Sequence, residues 1–373
     1  MPACSPTSLA IIGAGPVGLE AALAALDHGL DPQVYEQGEV GAHPLAWGHV
    51  RLFTPWRMCV GRHARAHLEA TGWTMPDAEA LPTGLELVEH YLEPLAALPE
   101  LKERLHTFTQ VVAIGRHGLR RGEGDADTRR AHPFRLLLRD PGGRESLAHA
   151  AALMDLTGVY GQPDWAGTGG IPACEESGLR PEFAYHVEDV LGLDRERYAG
   201  RRTVLIGESL FAAVTLAALA RLADEAEGTR VLWVTRAAAA GLFPGAEHDP
   251  LPARRELRLR ARALAAGAHP AIAHLGGAEV EGFAADPDTH SHRVRLEVAG
   301  EPREETAGRV VVHVGYGPDE HIRRELDDDE PRFVALGHEP HGREPAVLME
   351  AGYRRVGDAV VRLAGDPGAG AVA

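Results

Sequence analysis

At 373 residues the chain is long enough for two domains, or for one large domain with a second inserted into it. Nearly half of it is apolar and a quarter charged (45% and 25%), which is enough for a sizeable core and excludes wholesale disorder. The formal net charge of −16 excludes sequence-independent nucleic-acid binding, which requires a basic surface.

The first eight residues are too short and too uncharged for a signal n-region. No window reaches the ~18 uninterrupted apolar residues of a membrane span. A cytoplasmic protein without membrane attachment is therefore expected. Leu9–Ile12 is a short apolar run suited to a buried parallel strand, and it ends in Gly13-x-Gly15-Pro16-x-Gly18. An Ala- and Leu-rich helix from Val17 to about Asp27 follows, closed by His28-Gly29. A second strand, Pro32–Tyr35, then delivers Glu36. Each part has a physical role in holding a dinucleotide. Gly13 permits the tight turn, Gly15 lets a pyrophosphate approach the backbone, and Gly18 lets helix and strand pack closely. The phosphate charge sits against the free N–H groups of the helix start. A carboxylate about twenty residues on accepts hydrogen bonds from the ribose hydroxyls. This fingerprint alone does not separate FAD from NAD.

Further along, Thr107–Ile114 and Phe134–Leu138 are β-rich runs, followed by Ala151–Asp155. A second, weaker copy of the turn then appears. Arg202–Ile206 forms a strand, Gly207-Glu208-Ser209-Leu210-Phe211-Ala212 the turn, and an Ala/Leu helix runs to about Leu222. Ser209 and Ala212 replace the middle and last glycines. The next strand, Arg230–Val234, leads to Thr235-Arg236, and Arg236 is expected at the position of Glu36, where a guanidinium would pair with a 2′-phosphate. That reading is an NADPH site; the alternative is a Rossmann-like unit that has lost its nucleotide. Arg293–Val298 and Val310–Val314 complete the strands, and a last helix spans about Pro345–Leu363. The acidic run Glu325–Glu330 is expected as a solvated loop or helix end.

With these residues in place, the chain resembles the two-dinucleotide-binding-domain flavoproteins: the thioredoxin-reductase-like group and the flavin-containing and N-hydroxylating monooxygenases. Asp155-Leu156-Thr157-Gly158, followed by Pro163, is similar to that group's first crossover between domains, and Val314-Gly315-Tyr316-Gly317-Pro318 to the second. Leu336-Gly337-His338 and the helix near Gly352 fall where the group places backbone against the flavin ring. Arg51–Trp56 falls where the chain usually passes it. The resemblance implies an α/β fold in which a Rossmann-like FAD-binding domain (residues 1–158 and 308–373) carries an inserted Rossmann-like NAD(P)-binding domain (residues 159–307). It also implies FAD and NADPH as cofactors, and homodimerisation is common in that group.

The departures bear on activity. No cysteine pair stands near the flavin loop: Cys4, Cys59 and Cys174 are far apart and form no metal or disulfide pattern. Dithiol relay is thereby disfavoured. Cys59, with Arg57, Arg62 and His63 nearby, is expected as a small packed residue, the alternative being a low-pKa thiol. Phe183–Val190 carries an aromatic and a histidine, His186, but not the spacing or glycine of the monooxygenase signature. His63 with His67, and His290 with His292, have metal-like spacing without a third ligand, so no metal is expected. The leading expectation is an NADPH-driven, monooxygenase-like flavoenzyme that oxidises a small soft nucleophile, an amine or sulfur compound, with His338, His341 and His186 as the acid–base candidates. The alternatives are an NAD(P)H-dependent FAD reductase serving a quinone, disulfide or protein acceptor, and a non-catalytic FAD-binding protein.

Overall fold

The computed structural model describes residues 5–337 and 345–365. Its chain forms two compact units, one from residues 5–161, 318–337 and 345–365, the other from residues 162–317.

The first unit opens with β1 (Ser8–Ile12), α1 (Pro16–Asp27) and β2 (Asp31–Tyr35). Pro16 begins α1 where a missing N–H costs nothing, and eight of its residues, Gly18–Ala25, are buried. Helix α2 (Arg62–Ala70) then packs on α1. Its N-terminus is capped from α1: the buried Glu20 carboxylate accepts from the His63 and Ala64 N–H groups at 2.9 and 2.8 Å. Strand β3 (Leu105–His106) precedes an antiparallel meander of β4 (Gln110–Arg116), β5 (Phe134–Arg139) and β6 (Glu145–Ala150). Strand β7 (Ala152–Asp155) returns to the parallel sheet beside β1.

The second unit repeats the plan. It has β8 (Arg202–Ile206), α3 (Leu210–Glu225), β9 (Arg230–Val234), α4 (Pro252–Ala265) and β10 (Ile272–Leu275). A second meander follows, of β11 (Ala278–Asp286), β12 (Ser291–Val298) and β13 (Glu301–Ala307), and then β14 (Arg309–Val312). The order of its parallel sheet is β10-β9-β8-β14. The chain re-enters the first unit with β15 (Phe333–Ala335) and α5 (Pro345–Gly365), completing the parallel order β15-β7-β1-β2-β3. Each parallel sheet is covered on both faces, by helices on one side and a meander on the other. This is why β1, β8 and β9 are apolar runs rather than alternating ones.

The return to the first unit lies later than residue 308, because β14 pairs with β8 along its length. The acidic run is not a solvated loop throughout. The Glu330 side chain is fully buried, receives N–H bonds from Arg116 and Arg129, and is joined there by Asp327. Two buried guanidiniums need those carboxylates, and this overrides the run's local preference for water.

Candidate functional site: two Rossmann turns

In the first unit β1 ends at a turn closed from three sides. Gly13 has φ +102°, a conformation suited to glycine, and a Cβ there would lie 2.6 Å from the Leu156 carbonyl. That carbonyl belongs to the segment after β7, held against β1 by Leu156 N–H to Ile12 O at 2.9 Å. A Cβ on Gly18 would lie 1.9 Å from the Gly13 oxygen, so α1 starts directly on the turn. Gly15 is different: a Cβ there meets nothing within 4 Å, and as N-cap it offers no side-chain acceptor to the helix. The start of α1 therefore has open space before it and first-turn N–H groups without a side-chain cap. That combination suits an anionic group.

Glu36 follows β2 and reaches back to this turn. Its Oε2 accepts from Ala14 N–H and its Oε1 from Gly38 N–H, each at 2.9 Å. A carboxylate oxygen has room for more than one donor, so the ribose-reading role expected of Glu36 fits its placement. His43, which no sequence motif signals, lies in the short helix Ala42–Ala46 that follows Glu36. Its ring is 5.5 Å from that of Tyr160, and burial holds it below the usual imidazole range, offset in part by Glu36. Thr157 donates its N–H and hydroxyl to Asp155 Oδ1 at 3.2 and 2.8 Å. A Cβ on Gly337 would lie 3.9 Å from the Gly158 Cα, so these two expected positions are neighbours.

Two expected cofactor contacts have other partners. Arg51 donates to the Leu81 carbonyl, lies 3.7 Å from Glu86 and is mostly exposed. Gly352 is buried inside α5, where a Cβ would lie 2.8 Å from Val17 of α1. Its observed role is close helix packing, because α5 crosses α1 there. His338 and His341 lie outside the described residues. Cys59 is a buried packed residue; its thiol donates to the Thr54 carbonyl at 3.7 Å, and burial pushes its pKa up to about 11. His63 and His67 do share a face of α2, but their partners are carboxylates. His63 meets Asp27 at 2.5 Å, and His67 bridges Asp27 and Glu100 at 3.0 and 2.7 Å. His292 lies in β12, bonded to Glu182 at 2.9 Å. Among the described residues no group of three or more His, Cys, Asp or Glu side chains could hold a metal.

The second unit carries the turn in altered form. Gly207 has φ +121°, and a Cβ there would lie 2.2 Å from the His313 carbonyl, so this glycine is as constrained as Gly13. Ser209, however, caps its own helix. Its Oγ accepts from Ala212 N–H at 3.2 Å and donates to the His313 carbonyl at 2.8 Å. His313 is fully buried beside this turn, and burial lowers its pKa to about 4. His186 stacks on Tyr316 with centroids 5.7 Å apart, and Tyr316 donates its hydroxyl to the Tyr185 carbonyl. The crossover segments run side by side within this unit, with Asp164 N–H donating to Gly315 O at 3.0 Å and Gly317 N–H to Gln162 O at 2.9 Å.

The register corrects one assignment. Gly13 N–H donates to Tyr35 O, and Gly207 N–H donates to Val234 O. The equivalent of Glu36 is therefore Thr235, and Arg236 lies one residue beyond it. Thr235 is buried and donates its hydroxyl to the Ala237 carbonyl at 2.6 Å. Arg236 is exposed, with no hydrogen-bond or ion-pair partner among the described residues.

No protein-family model and no curated protein sequence matches the chain. Solved structures do resemble it. The bacillithiol disulfide reductase of Bacillus cereus superposes with a TM-score of 0.68 at 17% identity, over 96% of this chain and 98% of that one. The ornithine hydroxylase of Pseudomonas aeruginosa gives 0.63 at 16%, over 96% and 98%. The ornithine N-hydroxylase of Kutzneria sp. 744, solved with reduced FAD, NADP+ and L-ornithine, gives 0.62 at 16%, over 95% and 98%. The chain thus shares its fold with these structures over nearly its whole length. Among the described residues no helix is long and apolar enough to cross a membrane.

Proposed function

We propose that the chain is an FAD-dependent oxidoreductase, with FAD held by the first unit and NADPH by the second, that oxidises a small soft nucleophile such as an amine or sulfur compound in the manner of a monooxygenase. The observation that carries the FAD assignment is the space at Gly15, unfilled by protein and facing an uncapped helix start, beside a carboxylate fixed on Ala14 and Gly38. A dinucleotide fits both features. The helix N–H groups take the pyrophosphate charge, and Glu36 orients the ribose. Bound FAD would supply a hydride acceptor and, once reduced, the reactivity toward oxygen. The protein's part is to hold that group rigidly and to limit water around it. His43, kept neutral by burial at this site, is able to donate or accept one hydrogen bond without adding charge.

Oxygenation is preferred to dithiol relay because, among the described residues, Cys59 is buried with a raised thiol pKa and Cys174, in the other unit, is the one further cysteine. The ornithine hydroxylases among the structural neighbours support the same choice. A second reading, electron transfer to a disulfide or quinone, draws support from the bacillithiol disulfide reductases. The experiment is anaerobic reduction by NADPH followed by oxygen and a panel of amines and thioethers. Oxygenated product formed in step with NADPH oxidation supports the monooxygenase. Rapid flavin reduction with turnover only on disulfides or quinones selects the reductase, and no reduction by either nicotinamide nucleotide removes both.

A further inference from the structure

The two turns superimpose in sequence register, and this exposes an exchange of carboxylates. With Gly13 opposite Gly207 and Tyr35 opposite Val234, Ala14 is equivalent to Glu208 and Gly38 to Ala237. In the first unit the N–H of Gly38 is taken by the carboxylate of Glu36, which comes from the end of the second strand. In the second unit the equivalent N–H, that of Ala237, is taken by the Glu208 carboxylate at 2.9 Å. Glu208 comes from the opposite wall, out of the glycine turn itself. The position that should carry the acid, Thr235, has its hydroxyl turned to the Ala237 carbonyl and to His274. A carboxylate thus bonds the same backbone N–H in both units, delivered from different sides.

We infer that Glu208 is the ribose-reading acid of the second unit and that it restrains the preference for a 2′-phosphorylated nucleotide which Arg236 confers. The inference rests on the reading of that unit as a nucleotide site. A carboxylate at this bond accepts from ribose hydroxyls and repels a 2′-phosphate. Glu208 is partly buried, whereas Arg236 is exposed, so solvent screens the attraction of Arg236 more than the repulsion from Glu208. The two effects oppose each other, and the unit takes both nucleotides with weak discrimination.

The test uses FAD-saturated protein, so that the first unit is filled, and isothermal titration with 2′,5′-ADP and 5′-AMP, which report binding without any redox step. The wild type is expected to bind the two within about threefold of each other. Glu208→Gln, which keeps an acceptor for Ala237 N–H, is expected to tighten 2′,5′-ADP on the order of tenfold while 5′-AMP is unchanged or weaker. Arg236→Ala is expected to weaken 2′,5′-ADP alone, and retained 5′-AMP binding shows that each variant is folded. If Glu208→Gln moves both ligands equally, or neither, the role of Glu208 is overturned while the nucleotide site stands. If no form binds either ligand, the nucleotide site falls and the inference with it.

Discussion

Gly15 and Gly18 stand three residues apart in one motif, yet the structure assigns them opposite consequences on substitution. A methyl at Gly18 would lie 1.9 Å from the Gly13 oxygen and 3.0 Å from its carbon, backbone atoms that cannot step aside without moving α1 off the sheet. Overpacking of this kind costs roughly 1–3 kcal/mol or more, which for a unit of this size lowers Tm on the order of 5–10 °C. A methyl at Gly15 meets no protein atom within 4 Å, and φ −79°, ψ −175° is comfortable for alanine. Loss of the small N-cap preference costs at most about 1 kcal/mol. The methyl instead occupies the space before the helix start. Gly15→Ala is therefore expected to unfold within about 3 °C of the wild type as apoprotein, while its FAD affinity falls at least tenfold, about 1.4 kcal/mol. Differential scanning fluorimetry without flavin, and quenching of flavin fluorescence on titration, measure the two quantities separately. FAD affinity unchanged in Gly15→Ala, or a Gly18→Ala protein as stable as the wild type, would refute the reasoning.

Three further outcomes follow from the packing. Cys59 should resist alkylation by iodoacetamide at pH 8 in the folded protein, read by mass spectrometry, and Cys59→Ala should change the rate of flavin reduction less than about twofold. Rapid labelling would contradict the buried, raised-pKa thiol. Removing Glu330 leaves Arg116 and Arg129 buried without their shared carboxylate, so Glu330→Ala should lose ~3–5 kcal/mol in urea unfolding. A midpoint equal to the wild type would show the cluster to be energetically idle.

The cluster of His67, Asp27 and Glu100 predicts a pH profile. The partner carboxylates raise the His67 pKa, so its contribution is full below the unfolded imidazole value and is lost as pH rises through the folded one. Asp27 is lowered by His63 and His67, and Glu100 by its own backbone N–H and then by His67, so their contribution is present above the unfolded carboxylate values and is lost as pH falls through the folded ones. Stability from this cluster is thus greatest in the window between the ordinary carboxylate and imidazole pKa values. His67→Asn should flatten the Tm profile there, and a parallel downward shift at every pH would contradict the charge argument.

Much of the first site was legible in the sequence because its signals are backbone signals. Glycines at Gly13, Gly15 and Gly18 report where a Cβ is forbidden or where space is kept, and Glu36 lies at a fixed distance along a strand. Strands β8 and β9 and the last helix were likewise visible as apolar runs. Strand β13 was not: Glu301-Pro-Arg-Glu-Glu-Thr-Ala is an edge strand facing solvent over most of its length, so it carries no apolar pattern. The misplacement of Arg236 has a similar cause. Counting from the glycine turn gives a distance but not the pairing register, and one residue decides whether the acid's counterpart is a threonine or an arginine. Glu208 was invisible as a site residue because its partner is a main-chain N–H in a distant loop. Glu330 was misread because the two arginines that bury it lie some 200 positions earlier in the chain.

The central claim, that the first unit is an FAD site, is tested most directly by the visible spectrum and extracted flavin of the purified chain, with FAD added where the protein emerges as apoprotein. The account predicts a yellow protein that takes up one FAD per chain and loses that uptake in Gly15→Ala while remaining folded. A folded, colourless protein that leaves added FAD free in solution would contradict it.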